Sequence, residues 1–152
     1  IGVSGHDSEK ILEQLVPKIP QDTFDYIIVS VGVNDITGLT STRRWRRNLS
    51  SLLTELRAHS PQAAIALAGM PPLHAFPLLP QPLRAVFGLR ARTFDEVATD
   101  VAEGLRGTIH VPLDFEPHPD AFAPDGYHPS EDSYTDFGRH MAAGLLALEA
   151  SA

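Results

Sequence analysis

The stretch that decides the fold is "DYIIVSVGVND", Asp25–Asp35. Its first nine residues form a nearly continuous apolar and β-branched run, which is typical of a strand buried on both faces of a parallel sheet. A glycine, an asparagine and an aspartate stand at the end of this run. Sites in parallel α/β sheets form at the carboxyl ends of strands. We therefore predict a strand over Asp25–Val33 with a functional loop at its end.

Helical and strand patterns alternate along the rest of the chain. Strands that alternate with helices indicate parallel βαβ units with helices on both faces of the sheet. We expect one domain over residues 1–152 with a three-layer α/β/α, flavodoxin-like fold. The spacing of apolar residues predicts helices over Asp7–Val16, over Thr42–Ser60, through Phe94–Leu105 and through Tyr134–Leu148, and further strands over Ala63–Met70 and Thr108–Leu113.

The sequence also predicts that part of the sheet lies outside this chain. Three strands make a small sheet for such a fold, and the chain begins at Ile1 with Met70 and Met141 as its two methionines. We expect one or more N-terminal strands upstream of Ile1, including a strand directly before it.

Composition narrows the classes of function. The 152 residues carry a formal net charge of −7, which gives a nucleic acid or an anionic membrane no overall attraction. The sequence holds no apolar run long enough to cross a bilayer, and it has no cysteine for disulfides or zinc sites. We expect a soluble protein that binds no nucleic acid. The sequence predicts neither its compartment nor its oligomeric state.

The segment "APDGYHPSEDSY", Ala123–Tyr134, holds an aspartate and a histidine three residues apart in a turn rich in proline and glycine. Asp125 can accept a hydrogen bond from the Nδ1–H of His128, which orients the imidazole and stabilises its protonated form. An aspartate that only caps the following helix is the structural alternative.

Two further loops can supply donors to a developing oxyanion. Asn34 offers a side-chain N–H, and Gly5, in "VSGHDS" before the first predicted helix, offers a backbone N–H. Together with Asp125 and His128 these groups make most of an acyl-transfer site, but they lack a nucleophile. Asn34 and Gly5 could instead be turn formers. For Asp35 we favour a structural role, in which it braces the loop through backbone hydrogen bonds.

These loops resemble the SGNH hydrolases, also called the GDSL family of lipases and esterases, from Ile1 to about Leu148. "SGHDS" resembles the second sequence block of that family, "GVND" the third and "DGYHPS" the fifth. The resemblance implies a Ser-His-Asp triad with Asp125 as acid and His128 as base. It also implies an oxyanion hole of Gly5 and Asn34, with Gly32 and Asp35 supporting the loop. The segment Pro71–Arg92 resembles a variant of the family that is found in bacteria.

The first block of the family, G-D-S with the serine nucleophile, is absent from the sequence. We expect it upstream of Ile1, and we reject Ser8 of "GHDS" because four residues cannot form a strand that presents it. The resemblance implies hydrolysis of small-molecule carboxylic esters or thioesters by the complete protein, without a cofactor. The alternatives are a catalytically inactive SGNH-like binding module and, more weakly, a flavodoxin-like nucleotide or receiver domain.

Several other features receive structural interpretations. His118 with Asp114, Asp120, Asp125 and His128 lacks regular ligand spacing, so we expect no metal site. The arginines around Trp45 are interpreted as a solvated helix face with Trp45 in the core. Pro71–Pro82 could line an acyl pocket, form a lid or pack as a surface loop; its prolines exclude regular helix and central strand.

Overall fold

The structure is a computed structural model that describes residues 1–113, 118–126 and 128–151. Three strands, β1 (Tyr26–Val29), β2 (Ala64–Ala68) and β3 (Thr108–Val111), form a sheet in the order β1-β2-β3. Both pairings are parallel, with Tyr26 opposite Ala64 and Ile65 opposite Thr108. The predicted α/β architecture with a parallel sheet is confirmed.

Helices cover both faces of this sheet. Two long helices pack on one face together with the first helical segment, and the last helix packs on the other. Serine side chains cap two of the helices at their amino ends. Ser41 accepts the Arg44 N–H before the helix that begins at Thr42, and Ser130 accepts the Ser133 N–H before the helix that begins at Glu131. The helices are α1 (Ser8–Lys10), α2 (Val33–Thr37), α3 (Thr42–His59), α4 (Leu83–Glu103) and α5 (Glu131–Ala150), with 3₁₀ turns at Leu73–Ala75 and Pro119–Ala121.

Strand β2 divides the core by the two-residue period of its side chains. Ile65 and Leu67 point into the larger cluster with α3 and α4, whereas its alanines face α5. The small alanines let α5 lie close to the sheet, and a β-carbon on Gly144 of α5 would come within 2.5 Å of Val111 Cγ2. Trp45 is fully buried in the larger cluster, as its helical spacing predicts.

Strand β1 differs from its prediction in length and burial. It ends at Val29, and Val33 is already the first residue of α2, because Gly32 turns the chain with a φ of +125°. The expectation of burial on both faces is also wrong. Tyr26 and Ile28 are 52% and 51% exposed, because α5 packs mainly on β2 and β3. The end of α5 still reaches β1, where the Tyr26 hydroxyl donates to Glu149 at 2.6 Å.

The first helix is less regular than predicted. Asp7 caps α1 by accepting from the Lys10 N–H, but the α-helical turn gives way to a π-helical segment, Ile11–Leu15, and a 3₁₀ turn, Val16–Lys18. Pro17 has no N–H for an α-helical hydrogen bond, and its ring would clash with the carbonyl four residues earlier. The chain therefore changes its hydrogen-bonding pattern before it leaves the helix.

The proline-rich segment packs its apolar side chains onto the domain. Leu73, Phe76 and Leu79 are buried in the larger cluster, whereas Leu78 is 58% exposed. These contacts match the interpretation of Pro71–Pro82 as a surface loop that packs on the domain. Phe76 also lines the cavity described below. Helix α4 begins at Leu83, directly after the last proline of the segment.

We expect Gly32→Ala to destabilise the fold. A β-carbon there would lie 2.7 Å from Met70 Cε and 3.2 Å from the Trp45 ring, in a backbone conformation that side chains rarely adopt. The strain alone costs on the order of 1–3 kcal/mol. Urea unfolding followed by Trp45 fluorescence measures the loss. Gly138→Ala, in an open position of α5, is the control and should stabilise by about 0.5–1 kcal/mol. Equal stabilities of the two variants would contradict the described packing at Gly32.

Candidate active site

Asp125 and His128 form a hydrogen-bonded pair on the turn before α5. Asp125 Oδ2 lies 2.6 Å from His128 Nδ1, and Oδ1 accepts the His128 backbone N–H at 3.0 Å. Gly126 between them has a φ of +68°, which a glycine adopts without strain. Both side chains are at least half exposed, so the pair adds little to stability. Its effect is to orient the imidazole, with Nδ1 toward the carboxylate.

A short backbone ladder holds this turn. The Ala123 N–H donates to the His128 carbonyl at 2.8 Å, and the Ser130 N–H donates to the Ala121 carbonyl at 3.0 Å. On the other side, the Leu78 N–H of the proline-rich segment donates to the Gly126 carbonyl at 3.3 Å. The turn is therefore tied both to the start of α5 and to the proline-rich segment.

Asn34 lies in the first turn of α2, and its Nδ2 donates to the His6 carbonyl at 2.9 Å. This hydrogen bond joins the loop after β1 to the loop that holds Gly5. An amide nitrogen carries two hydrogens, so one N–H can hold the side chain in place while the other is offered elsewhere. Gly5 has a φ of +77°, which explains a glycine at this turn whether or not its N–H has a further role.

Asp35 is buried and joins the same two loops. Its Oδ2 accepts the Ser8 backbone N–H at 2.8 Å, and its Oδ1 accepts the Ser8 hydroxyl at 2.6 Å. Asn48 of α3 donates to the Ser8 Oγ at 3.0 Å and extends the network. Burial raises the pKa of Asp35 above its usual value, although the hydrogen bonds from Ser8 oppose that change.

The hydrogen bonds of Ser8 in this network also argue against Ser8 as a nucleophile. Ser8 is fully buried, and its hydroxyl hydrogen is directed to Asp35. A hydroxyl in this position is closed to a substrate and is used in holding the loop.

Gly5, Asn34 and His128 line one cavity of about 910 Å³. Phe76 and Phe122, which pack edge to face with ring centroids 5.1 Å apart, form part of its apolar wall. The three loops that the sequence singled out thus converge on one space, and Asp125 is connected to it through His128.

The cavity continues along the free edge of β1. Among the described residues, β1 pairs with β2 alone, and Ile27 and Ile28 line the cavity together with Ile1 and Val3. The N-terminal residues and β1 therefore face each other across an apolar space at the edge of the sheet.

The structure adds findings on metals and membranes for the residues that it describes. No three histidine, aspartate or glutamate side chains in ranges 1–113, 118–126 and 128–151 are grouped as metal ligands, and Asp114 lies outside those ranges. None of the helices in the described part of the chain has the length and apolar character needed to span a bilayer.

Sequence reasoning missed a buried polar residue, Asn48, and a partly buried pair, Asp95 and His110. Asn48 breaks the apolar stripe of α3, and that polar residue in a core position is the signal that could have revealed the Ser8–Asp35 network. The second is a pair formed by Asp95 of α4 and His110 of β3, 3.0 Å apart. The sequence signal for this pair is a single histidine inside the short strand pattern of β3.

A parallel α/β domain in which an Asp–His pair and an asparagine amide belong to one cavity is the kind of framework that acyl hydrolases use. The family model of the GDSL-like lipase/acylhydrolase family matches residues 1–135, and the chain belongs to this family. The resemblance drawn from the sequence blocks is thereby confirmed. Among curated proteins, none matches the chain in sequence.

Solved structures show the same fold. A Streptococcus pneumonia protein whose name refers to platelet activating factor superposes with a TM-score of 0.79 at 18% identity, over 93% of this chain and 69% of that one. LAE5, an alpha/beta hydrolase enzyme from the Lake Arreo metagenome, gives a TM-score of 0.67 at 16% identity, over 95% and 70%. A catalytic mutant of Axe2, an acetylxylan esterase from Geobacillus stearothermophilus, gives 0.69 at 17%, over 95% and 69%. At these identities the likeness is one of fold.

We expect Asp35→Ala to destabilise the domain by about 1–3 kcal/mol, because the buried Ser8 N–H and hydroxyl lose their acceptor. Urea unfolding measures the change. Asp22→Ala removes an exposed carboxylate from the same part of the chain and should stay within about 0.5 kcal/mol of the parent. A loss no larger than that of Asp22→Ala would show that the network does not hold the two loops.

Proposed function

We propose that this domain carries the base, the acid and two oxyanion donors of a serine-dependent hydrolase of carboxylic esters or thioesters. The observation that carries the proposal is the Asp125–His128 pair at 2.6 Å, on the same cavity as Asn34 and Gly5. Membership of the GDSL-like lipase/acylhydrolase family supports ester hydrolysis as the general class of reaction. The apolar wall of the cavity suits an acyl group.

The proposed reaction follows from the orientation of the imidazole. His128 Nε2 takes the proton of a serine hydroxyl as its oxygen attacks the acyl carbon, and Asp125 stabilises the imidazolium that forms. The N–H of Gly5 and the second N–H of Asn34 donate to the oxyanion. His128 then protonates the leaving alcohol or thiol. A water molecule, deprotonated by His128, releases the acid from the acyl-enzyme and restores the serine.

We further propose that the serine lies on a strand upstream of Ile1 that docks against the free edge of β1. Among the described residues β1 pairs with β2 alone, so the backbone N–H and C=O groups along its other edge are available to a further strand. An added strand running parallel to β1 would cover this edge. Its carboxyl end would reach the part of the cavity lined by Gly5, Asn34 and His128.

The position of the serine can be tested by comparing two polypeptides. We expect residues 1–152 alone to hydrolyse p-nitrophenyl acetate no faster than buffer, and the natural polypeptide extended upstream of Ile1 to hydrolyse it with a serine-dependent burst. Stopped-flow absorbance at the p-nitrophenolate band measures both. A burst from residues 1–152 alone would contradict the proposal, and serine-to-alanine changes at Ser4, Ser30 and Ser133, which line the cavity, would then locate the nucleophile.

In the extended polypeptide, we expect His128→Ala to lower kcat for p-nitrophenyl acetate by at least about 10³-fold, because the serine loses its general base. His140→Ala is the matched control, since His140 is another exposed histidine that lines the cavity. It should leave kcat within about twofold. Turnover retained in His128→Ala would refute the role of His128. An extended polypeptide that binds esters but never turns them over would favour the inactive binding module.

A further inference from the structure

A second Asp–His pair lies behind the site, between α4 and β3. Asp95 Oδ1 lies 3.0 Å from His110 Nε2 and also accepts the Met70 backbone N–H at 2.7 Å. Because a carboxylate only accepts, Nε2 must carry the hydrogen of the first contact. The His110 side chain is 7% exposed and that of Asp95 33%, so the pair is far better shielded than Asp125–His128. The reaction described above uses neither residue.

The pair holds the backbone where β2 ends. The Met70 N–H donates to it directly, and a β-carbon on Gly69 would lie 3.0 Å from Asp95 Oδ1 and 3.2 Å from His110 Nε2. Gly69 and Pro71, on either side of Met70, both line the large cavity. Asp95 and His110 therefore press against the segment that forms this part of the cavity wall.

The side chain of Met70 transmits this position to the loop after β1. Its Sδ and Cε lie 2.8 and 2.7 Å from where a β-carbon on Gly32 would stand, so Met70 packs directly on Gly32. Trp45 of α3 approaches the same point at 3.2 Å. Gly32 accepts the Ile36 N–H through its carbonyl and opens the turn that carries Asn34. A continuous series of contacts thus runs from Asp95 to the oxyanion loop.

The ionisation of Asp95 is consistent with this arrangement. Burial disfavours its charged form, but the hydrogen bonds from His110 and Met70 and the charge of His110 outweigh that effect and lower its pKa. The carboxylate is therefore present as an acceptor at neutral pH. A smaller cavity beside the pair, lined also by Thr99 and Glu103, leaves the outer edge of Asp95 in contact with solvent.

We propose that Asp95 and His110 are positioning residues for the oxyanion loop: by holding the Met70 N–H they seat the Met70 side chain on Gly32 and so set the place of Asn34. Neither residue touches the substrate. The inference rests on the proposed function as far as Asn34 donates to an oxyanion, but the contact between Met70 and Gly32 can be tested without any turnover.

The first test is the ¹³C-methyl spectrum of methionine-labelled protein. The chain has two methionines, Met70 and the fully buried Met141 of α5, which serves as an internal reference. We expect Asp95→Ala to shift and broaden the Met70 signal and to leave that of Met141 in place. Asp100→Ala is the matched control, since it removes an exposed carboxylate from the same helix, paired with Arg46 at 2.7 Å. A Met70 signal unchanged in Asp95→Ala would overturn the inference.

The second test separates a positioning role from a general loss of stability. In the extended polypeptide, Asp95→Ala should lower kcat per folded molecule by about 10-fold or more with KM within about twofold, because Asn34 acts in the transition state. In an Asn34→Ala background, Asp95→Ala should lower kcat by less than about twofold. Asp95→Asn, whose amide oxygen can still accept the Met70 N–H, should recover part of the loss. A full 10-fold loss in the Asn34→Ala background would overturn the route through Asn34.

The two proposals fail in different ways. If His128→Ala leaves turnover unchanged while Asp95→Ala still shifts the Met70 methyl signal, the proposed reaction is wrong and the positioning contact is supported. If His128→Ala abolishes turnover and the Met70 methyl does not respond, the reaction stands and the positioning role is wrong. Should Asp95→Ala not fold, Asp95→Leu removes the acceptor of the Met70 N–H while keeping a branched side chain in its place, and an unmoved Met70 signal in that variant overturns the inference equally.

Discussion

The buried contact between Asp35 and Ser8 is the constraint on which the candidate site depends. It places a carboxylate from the loop after β1 on the first turn of α1, 27 residues away in the chain. Desolvating a carboxylate is costly, and the structure offsets that cost with a backbone N–H, a hydroxyl and the supporting amide of Asn48. With these two loops joined, the Asn34 amide reaches the His6 carbonyl and the glycine turn at Gly5 takes its place beside it.

The polar groups around the cavity divide into an exposed set and a buried set. Asp125 and His128 stand on a solvated turn, where their mutual attraction is weak and a substrate can reach the ring. Asp35, Ser8 and His110 are shielded and bind to other parts of the protein. The exposed groups that would contact a substrate are thus held by backbone hydrogen bonds and by packing against buried parts of the protein. This division allows an open site to keep a defined geometry.

Much of the fold, and the loops that line the cavity of the candidate site, could be predicted because the responsible signals are local. β-branched runs gave the strands, helical spacing gave α3 and α5, and three short polar motifs marked loops that do converge on one cavity. Most of the failures came from tertiary context. Whether a face of β1 is covered depends on where α5 lies. The irregular first helix has a local cause, Pro17, but the spacing of apolar residues does not show which hydrogen bonds the proline interrupts. The Asp95–His110 pair joins a helix to a strand 15 residues away, and no short motif encodes such a contact.

The uncovered edge of β1 has a consequence for how this polypeptide behaves at high concentration. Edge strands present a row of N–H and C=O groups that another extended chain can pair with, and natural proteins usually protect them with charge, proline or a covering element. Here the exposed side chains beside that edge are Tyr26 and Ile28, which favour pairing rather than oppose it. This edge is open to pairing with a second copy of residues 1–152, and the net charge of −7 opposes such association. Because salt screens the repulsion between like-charged molecules, association between copies should increase with ionic strength.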